Sequence, residues 1–439
     1  MQAENRFPLY DCIRKNVQFW EKVYSQYTTR QGILHDKNDL SIIYTVIDLV
    51  DWRTPGAGQI NRKMIKMARL RYKAILANLA KGKKPRTAEE KRVAAMFRGK
   101  GHKAMLRARN SIRLQIGQKD RFLEGVIRSG AYLPTMKKIF RARGLPVELA
   151  YLPHVESSFN PRAHSKAGAV GIWQFTRSTG KDYMTIDNVV DERYDPYLST
   201  HAAAKFLKEN YQQLGSWPLA LTAYNYGRAG MLRAVRKNGS YEKIFKSHRT
   251  RLFQFASRNF YPEFLAALRV ARRLENDPSI IRDRPVATVT IRLKGYAAAR
   301  DLRRFFGVSL EDFTNLNPAL QKPVLDGRKY VPRGYLLRLP ATSRIRAKVA
   351  AMDPGLYHAS QIRDRYYTVR KGDTAASIAR RYRISLRELK RANNLNRKAF
   401  IRVGQRLKIP RPARATSRYA DARKSIITLT PNSKQKPNR

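Results

Sequence analysis

The residues best placed for chemistry cluster around Glu156, which closes the mostly apolar stretch from Val147 to Glu156. That stretch reads as a helix ending in a carboxylate. Asn160-Pro161 forces a turn after it, and Gly168 and Gly171 let the backbone bend or approach a ligand. A carboxylate in such a place is partly desolvated, which lifts its pKa from about 4.3 toward the range where it holds and donates a proton. Glycosidic cleavage needs a general acid of that kind. Hydrolysis by water usually needs a second carboxylate, and the nearby candidates are Asp182, Asp187 and Asp191. Ser157 and Ser165 lack the His–acid pair that would make either a nucleophile. His154 and His164 have no partners at metal-ligand spacing and read as structural. No metal and no cofactor is expected.

The pattern resembles the Slt-type lytic transglycosylases. Their signature is Glu-Ser, a Ser nine residues after the Glu, then Gly-x-x-Gln; here these are Glu156-Ser157, Ser165 and Gly171-Ile-Trp-Gln174. Asp191-Glu-Arg-Tyr-Asp-Pro196, Ser199-Thr-His-Ala-Ala-Ala204 and Leu219-Ala-Leu-Thr-Ala-Tyr224-Asn225-Tyr-Gly227 resemble later motifs of the family. The Asn16-Val-Gln-Phe-Trp20 block is similar to its membrane-bound branch. The likeness runs from Asn16 to Pro410 and is densest between Glu148 and Gly227.

The resemblance implies roles. Glu156 is the acid and base. Ser165 and Gln174 bind the acetamido sugar, Tyr224 orients the carboxylate, and Asn225 and Gly227 shape the wall around Tyr224. Ser157, Gly171, Thr176 and Tyr261 complete the expected substrate-binding set. The family has Arg-x-Tyr-Val at the last of these places, whereas Arg258-Asn259-Phe260-Tyr261 puts Phe at the aligned position. The implied reaction cuts the β-1,4 bond between N-acetylmuramic acid and N-acetylglucosamine and closes a 1,6-anhydro ring. A tethered 6-hydroxyl has a high effective concentration, so no water is consumed.

Further along, Leu302, Phe306, Val308, Ser309, Leu310, Phe313 and Asn317 recur 76 residues later as Ile378, Tyr382, Ile384, Ser385, Leu386, Leu389 and Asn393. Each unit reads strand, helix, helix, strand. The second, opening Tyr367-Thr-Val-Arg-Lys-Gly372-Asp373-Thr374, resembles a LysM module. In that family a shallow groove for N-acetylglucosamine chains lies between two loops, which points to Gly372, Asp373 and Thr374, and to Asn394, Leu395 and Ile401. The first unit lacks the Gly-Asp-Thr turn and resembles a degenerate copy.

These parts need positioning elements. The expected fold is mainly α: a lysozyme-like transglycosylase domain preceded by basic helices and followed by small α+β LysM-type modules. Val17, Trp20, Val23 and Tyr24 recur at helical spacing, as do Ile42, Ile43, Val46, Ile47 and Val50. Thr87-Ala-Glu-Glu90 opens another helix as a capping box. The expected division is 1–125 (basic helical region), 126–280 (catalytic domain), 285–342 (degenerate module), 343–364 (linker), 365–411 (LysM module) and 412–439 (basic, disordered tail).

Lys+Arg number 89 against 33 Asp+Glu, a net charge of +56. Such a chain is drawn to polyanions, and anionic wall polymers, lipopolysaccharide or a membrane surface are expected partners beside peptidoglycan glycan strands. No specific nucleic-acid motif is present. A monomer is expected, in the periplasm, outer membrane or cell wall of a bacterium. Cys12 is the sole cysteine, so no internal disulfide forms. Two other functions compete: a goose-type lysozyme-like hydrolase, and a non-catalytic LysM wall-binding protein.

Overall fold

The computed structural model describes residues 6–362 and 365–410, so the tail expected at 412–439 lies outside the described residues. The chain divides into two compact units, Met1–Ile186 with Glu192–Val286, and Asp187–Asp191 with Ala287–Arg439.

In the first unit, α1 (Arg14–Ser25) carries Val17, Trp20, Val23 and Tyr24 on one face, and this face packs along the later helix Phe255–Glu275. The second apolar run behaves otherwise. Ile43–Asp48 is a strand, β2, paired antiparallel with β1 (Gln31–Asp36). On its other edge β1 pairs antiparallel with β3 (Ile112–Ile116), giving the order β2-β1-β3. The helical reading of Ile42 to Val50 is thus corrected. Ile42, Ile43, Thr45, Val46 and Ile47 are β-branched, stiff side chains that pack better on a pleated surface than along a helix.

Between β2 and β3 lie the basic helices α2 (Ala57–Ala80), α3 (Ala88–Met96) and α4 (Gly101–Arg109). The Thr87–Glu90 capping box is formed. Tyr72, Ile75, Leu76, Leu79, Val93, Phe97 and Ala108 pack on Leu34, Ile42 and Tyr44 as a core of their own.

The remaining helices are α5 (Lys119–Ser129), α6 (Leu133–Ala142), α7 (Pro153–Glu156), α8 (Arg177–Lys181), α9 (Pro196–Leu214), α10 (Trp217–Tyr226), α11 (Arg228–Asn238), α12 (Tyr241–Ser247) and α13 (Phe255–Glu275). They share one core with α1, built around Trp173, Tyr151, Phe122, Phe140 and Phe264. Asp195 starts α9 by accepting from the Tyr197 and Leu198 amides, and Gly215 ends it in a left-handed conformation.

The second unit holds β4 (Thr288–Arg292), β5 (Tyr296–Ala297), α14 (Ala299–Phe306), α15 (Leu310–Leu316), α16 (Lys322–Leu325), β6 (Leu336–Pro340), α17 (Ser343–Ala350) and β7 (Tyr357–His358). Then come β8 (Arg365–Thr368), α18 (Ala375–Arg381), α19 (Leu386–Asn393) and β9 (Arg406–Ile409). β4 pairs with β6, β5 with β7, and β8 with β9, all antiparallel. The stretch 343–364, read from sequence as a linker, contains α17 and β7.

The repeat has a physical basis. Ser309 and Ser385 cap α15 and α19 alike. Asn317 Nδ2 donates to the Arg338 carbonyl at 2.9 Å while its Oδ1 accepts from the Arg338 amide at 2.9 Å. Asn393 does the same to Lys408, at 2.8 and 2.6 Å. In each copy one amide side chain locks the last strand to the second helix.

Candidate active site

Val147 to Glu156 is a 3₁₀ turn, Val147–Tyr151, running into α7. Leu149, Ala150, Tyr151 and Leu152 are buried, anchoring this turn in the core. His154 is buried against Phe122 and Phe159, and burial pushes its imidazole down to about 3, so it stays neutral. Glu156 is the last residue of α7 and is half-buried. Burial pushes its carboxyl up to about 8, so it is protonated at neutral pH and still open on one side to a ligand. Ser158 and Phe159 follow in left-handed backbone, φ 50° and 55°, and turn the chain sharply away.

The loop that follows is tied down by its own atoms. Ser157 Oγ donates to the Ile172 carbonyl at 2.8 Å, joining the end of α7 to the glycine loop. Ser165 accepts from the Ala169 amide at Oγ, 3.0 Å, which leaves its O–H for another partner. Gly171 has φ +77°, and a Cβ there would stand 2.0 Å from the Arg193 carbonyl. Gln174, at φ 49°, donates from Nε2 to the Gly171 carbonyl at 2.8 Å. Arg193 clamps the same loop through Nη1, 3.2 Å from both the Gly168 and Phe175 carbonyls.

Tyr224, on α10, donates its hydroxyl to the Trp173 carbonyl at 2.8 Å. Burial, and next the charge of Glu156, hold that hydroxyl well above the usual tyrosine range. Phe260 lies parallel to the Tyr224 ring, 6.3 Å away. Asn225 is exposed and accepts from Ser257 Oγ at 2.8 Å. Thr176 is exposed and caps α8 by accepting from the Thr179 amide.

Tyr261 is a correction. It is fully buried, donates to the Pro8 carbonyl at 2.9 Å and meets Tyr241 edge-on. Its neighbour on the helix, Phe260, is the one beside Tyr224. One residue along a helix rotates a side chain by about 100°, so the two cannot share a face.

Sequence reasoning missed Glu263. It is half-buried on α13, the helix that packs against α7. Burial first, then the charge of Glu156, raise its carboxyl well above the usual range, against the pull of Arg113. Tyr24 of α1 feels both carboxylates. Asp187 instead accepts from the Val189 and Val190 amides in the second unit, and Asp191 is buried there. Asp182 caps the end of α8.

In the C-terminal module, Gly372 has φ +86° and Asp373 accepts from the Tyr367 hydroxyl and the Arg370 amide, each at 2.8 Å. Thr374 caps α18 in a capping box with Ser377. Asn394 ends α19 in left-handed backbone. Leu395 and Ile401 pack partly against the module core, while Phe400 between them is 64% exposed. The exposed aromatic of this loop is therefore Phe400, which its residue type alone could have flagged.

Residues 136–245 match the Transglycosylase SLT domain family and residues 367–410 the LysM domain family. The chain therefore contains a transglycosylase SLT domain and a LysM domain. It is 30% identical over 294 residues to membrane-bound lytic murein transglycosylase D of Escherichia coli (strain K12), across 64% of this chain and 64% of that protein's length. Over 82 residues it is 35% identical to the transglycosylase of Enterobacteria phage PRD1, covering 19% of this chain and 29% of that one. Against the solved 70 kDa soluble lytic transglycosylase of Escherichia coli the TM-score is 0.30 at 18% identity, over 54% of this chain and 39% of that one.

Proposed function

We propose that this chain is a peptidoglycan lytic transglycosylase, cutting between N-acetylmuramic acid and N-acetylglucosamine. The observation that carries the reading is Glu156: a half-buried carboxyl with a pKa of about 8, at the end of α7 and tied by Ser157 to the glycine loop. In its protonated form it donates to the bridging oxygen as the glycosidic bond breaks. The carboxylate left behind takes the proton of the muramic 6-hydroxyl as that oxygen closes on the anomeric carbon. The step balances: the leaving N-acetylglucosamine gains the proton that Glu156 gives, and Glu156 regains one from the muramic 6-hydroxyl as the new bond to the anomeric carbon replaces the broken one.

Ser165 retains a hydroxyl donor, and Gln174 uses its Nε2 on Gly171 while Oε1 remains available as an acceptor. That pair matches the carbonyl and N–H of an acetamido group. Tyr224, fixed on the Trp173 carbonyl, holds the wall beside Glu156. The LysM domain, with Gly372, Asp373, Thr374, Asn394 and the loop to Ile401, tethers the enzyme to glycan strands. The work is done in the bacterial envelope, where this substrate is.

The hydrolase alternative needs an ionised second carboxylate to activate water. Glu263 is the candidate near Glu156, and burial first, then the charge of Glu156, raises its carboxyl well above the usual range, which opposes the ionised form. Mass analysis of digested peptidoglycan tests the reading. Glycans ending in 1,6-anhydro-N-acetylmuramic acid are expected; predominantly reducing ends, heavier by one water, refute it.

A further inference from the structure

One cavity is lined by none of the residues assigned to the sugar chemistry. Lys37, just past β1, Arg69 and Lys73 on α2, Arg109 at the end of α4, and Arg113 on β3 surround a space of about 360 Å³, with Ser111 at its edge. No Asp or Glu lines it. Asp36, next to Lys37 in sequence, accepts from the Asn38 and Asp39 amides at 2.7 and 3.1 Å, and Asp39 is taken by Lys15 and Lys100. Among the described residues none of the five cations is in an ion pair; Arg113 is stacked on the Phe255 ring at 4.1 Å and feels the charge of Glu263, while Arg69 Nε is buried with no hydrogen-bond partner. The rim is fixed: the Lys37 amide donates to the Ser111 carbonyl at 2.9 Å and Asn38 Nδ2 to Ser111 Oγ at 2.7 Å.

A solvated basic face spreads its charges outward. Here three elements and a loop end bring five charges onto one space, and Arg69 and Lys73 repel each other one turn apart on α2. Such an arrangement is stabilised by an anion. The Arg69 and Arg109 guanidinium forks match phosphate oxygens in pairs. The four charges of Lys37, Arg69, Lys73 and Arg109 also exceed what one carboxylate neutralises.

We propose that this cavity binds a multiply charged phosphate group of the diphosphate class, either free or carried on an envelope lipid or sugar. The site goes beyond the glycan-cleaving reading and stands if that reading fails.

The test titrates the full chain with pyrophosphate at fixed ionic strength, with tricarballylate as a carboxylate of similar charge. Saturable binding of pyrophosphate, unmatched by tricarballylate, is expected. Arg69→Gln with Lys73→Gln should weaken it by about tenfold or more, the loss of charge-assisted hydrogen bonds. Arg98→Gln with Lys103→Gln, which removes equal charge outside the cavity, should leave it within about twofold. If the cavity pair fails to fold, Arg69→Lys with Arg109→Lys keeps the charge and removes the forks, and should weaken binding. A glycosyl diphosphate arm separates the sources: tighter binding than pyrophosphate places the phosphates on a carrier, and equal or weaker binding assigns the free ion. Non-saturating binding, equal loss in the cavity and control pairs, or equal binding of tricarballylate overturns the proposal.

Discussion

Glu263 on α13 lies within the electrostatic reach of Glu156 on α7, and the charge of Glu156 adds to burial in raising the Glu263 carboxyl. Burial alone lifts Glu156 to about 8, whereas Glu263 is raised by burial and by the charge of Glu156. Activity on small neutral glycan fragments should therefore be level through neutral pH and fall as pH rises through about 8, because the acid form of Glu156 is the reactive one. Glu263→Gln should leave that alkaline limb within about half a pH unit, since the Glu156 shift comes from burial and not from a charge on Glu263. A downward move of a whole unit or more would show that Glu263 is ionised at neutral pH, as a hydrolase requires.

Glu156→Gln should lower cleavage by about two to four orders of magnitude, the range for a general acid. It should also stabilise the fold. A carboxyl whose folded pKa is raised from 4.5 to about 8 costs stability progressively as pH climbs between those values, and the full cost persists above them. The gain from Gln should be absent near pH 4 and reach roughly 1–2 kcal/mol above pH 8, less than full linkage because Glu156 keeps some solvent contact. Thermal melts across pH read it directly; a constant gain at every pH would contradict the raised pKa.

Gly171→Ala should destabilise the chain by about 2–4 kcal/mol and take activity down with it. The new methyl has nowhere to go against the Arg193 carbonyl, and φ +77° is strained for alanine. A variant with wild-type melting temperature and activity would show that the loop relaxes freely, contrary to its clamp by Arg193.

Phe400→Ala should weaken sedimentation with insoluble peptidoglycan by roughly three- to tenfold, as expected for losing one ring stacked on sugar. Turnover of short soluble fragments should be unchanged, because the LysM domain contributes attachment and no reacting group. Unaltered sedimentation would move the glycan surface away from this loop.

Much of this was legible in sequence because the relevant residues sit close together in it. Glu156, Ser157, Ser165, Gly171 and Gln174 occupy one short stretch, and the Asn317 and Asn393 clamps sit at matching places in a repeat. What escaped depends on distant packing. Glu263 and Phe260 reach the Glu156 region only because α13 crosses α7 and α10. Tyr261 has the residue type of a site residue, but its hydroxyl donates to the Pro8 carbonyl. The Ile42 to Val50 run satisfied a helical period, and only the pairing partner β1 decides for a strand.

The sheet carries one more consequence, for how the chain assembles. β1 and β2 are neighbours in sequence, but β3 pairs with β1 only after the whole of α2, α3 and α4 has been made. Closing so long a loop first would cost entropy with little return. The insertion carries its own core on Leu34, Ile42 and Tyr44, so it can dock on the β1–β2 hairpin and bring its ends together before β3 arrives. The basic helices are then the scaffold on which the sheet is completed. Substitutions in their apolar face, such as at Leu76 or Val93, should slow folding of the first unit from a distance.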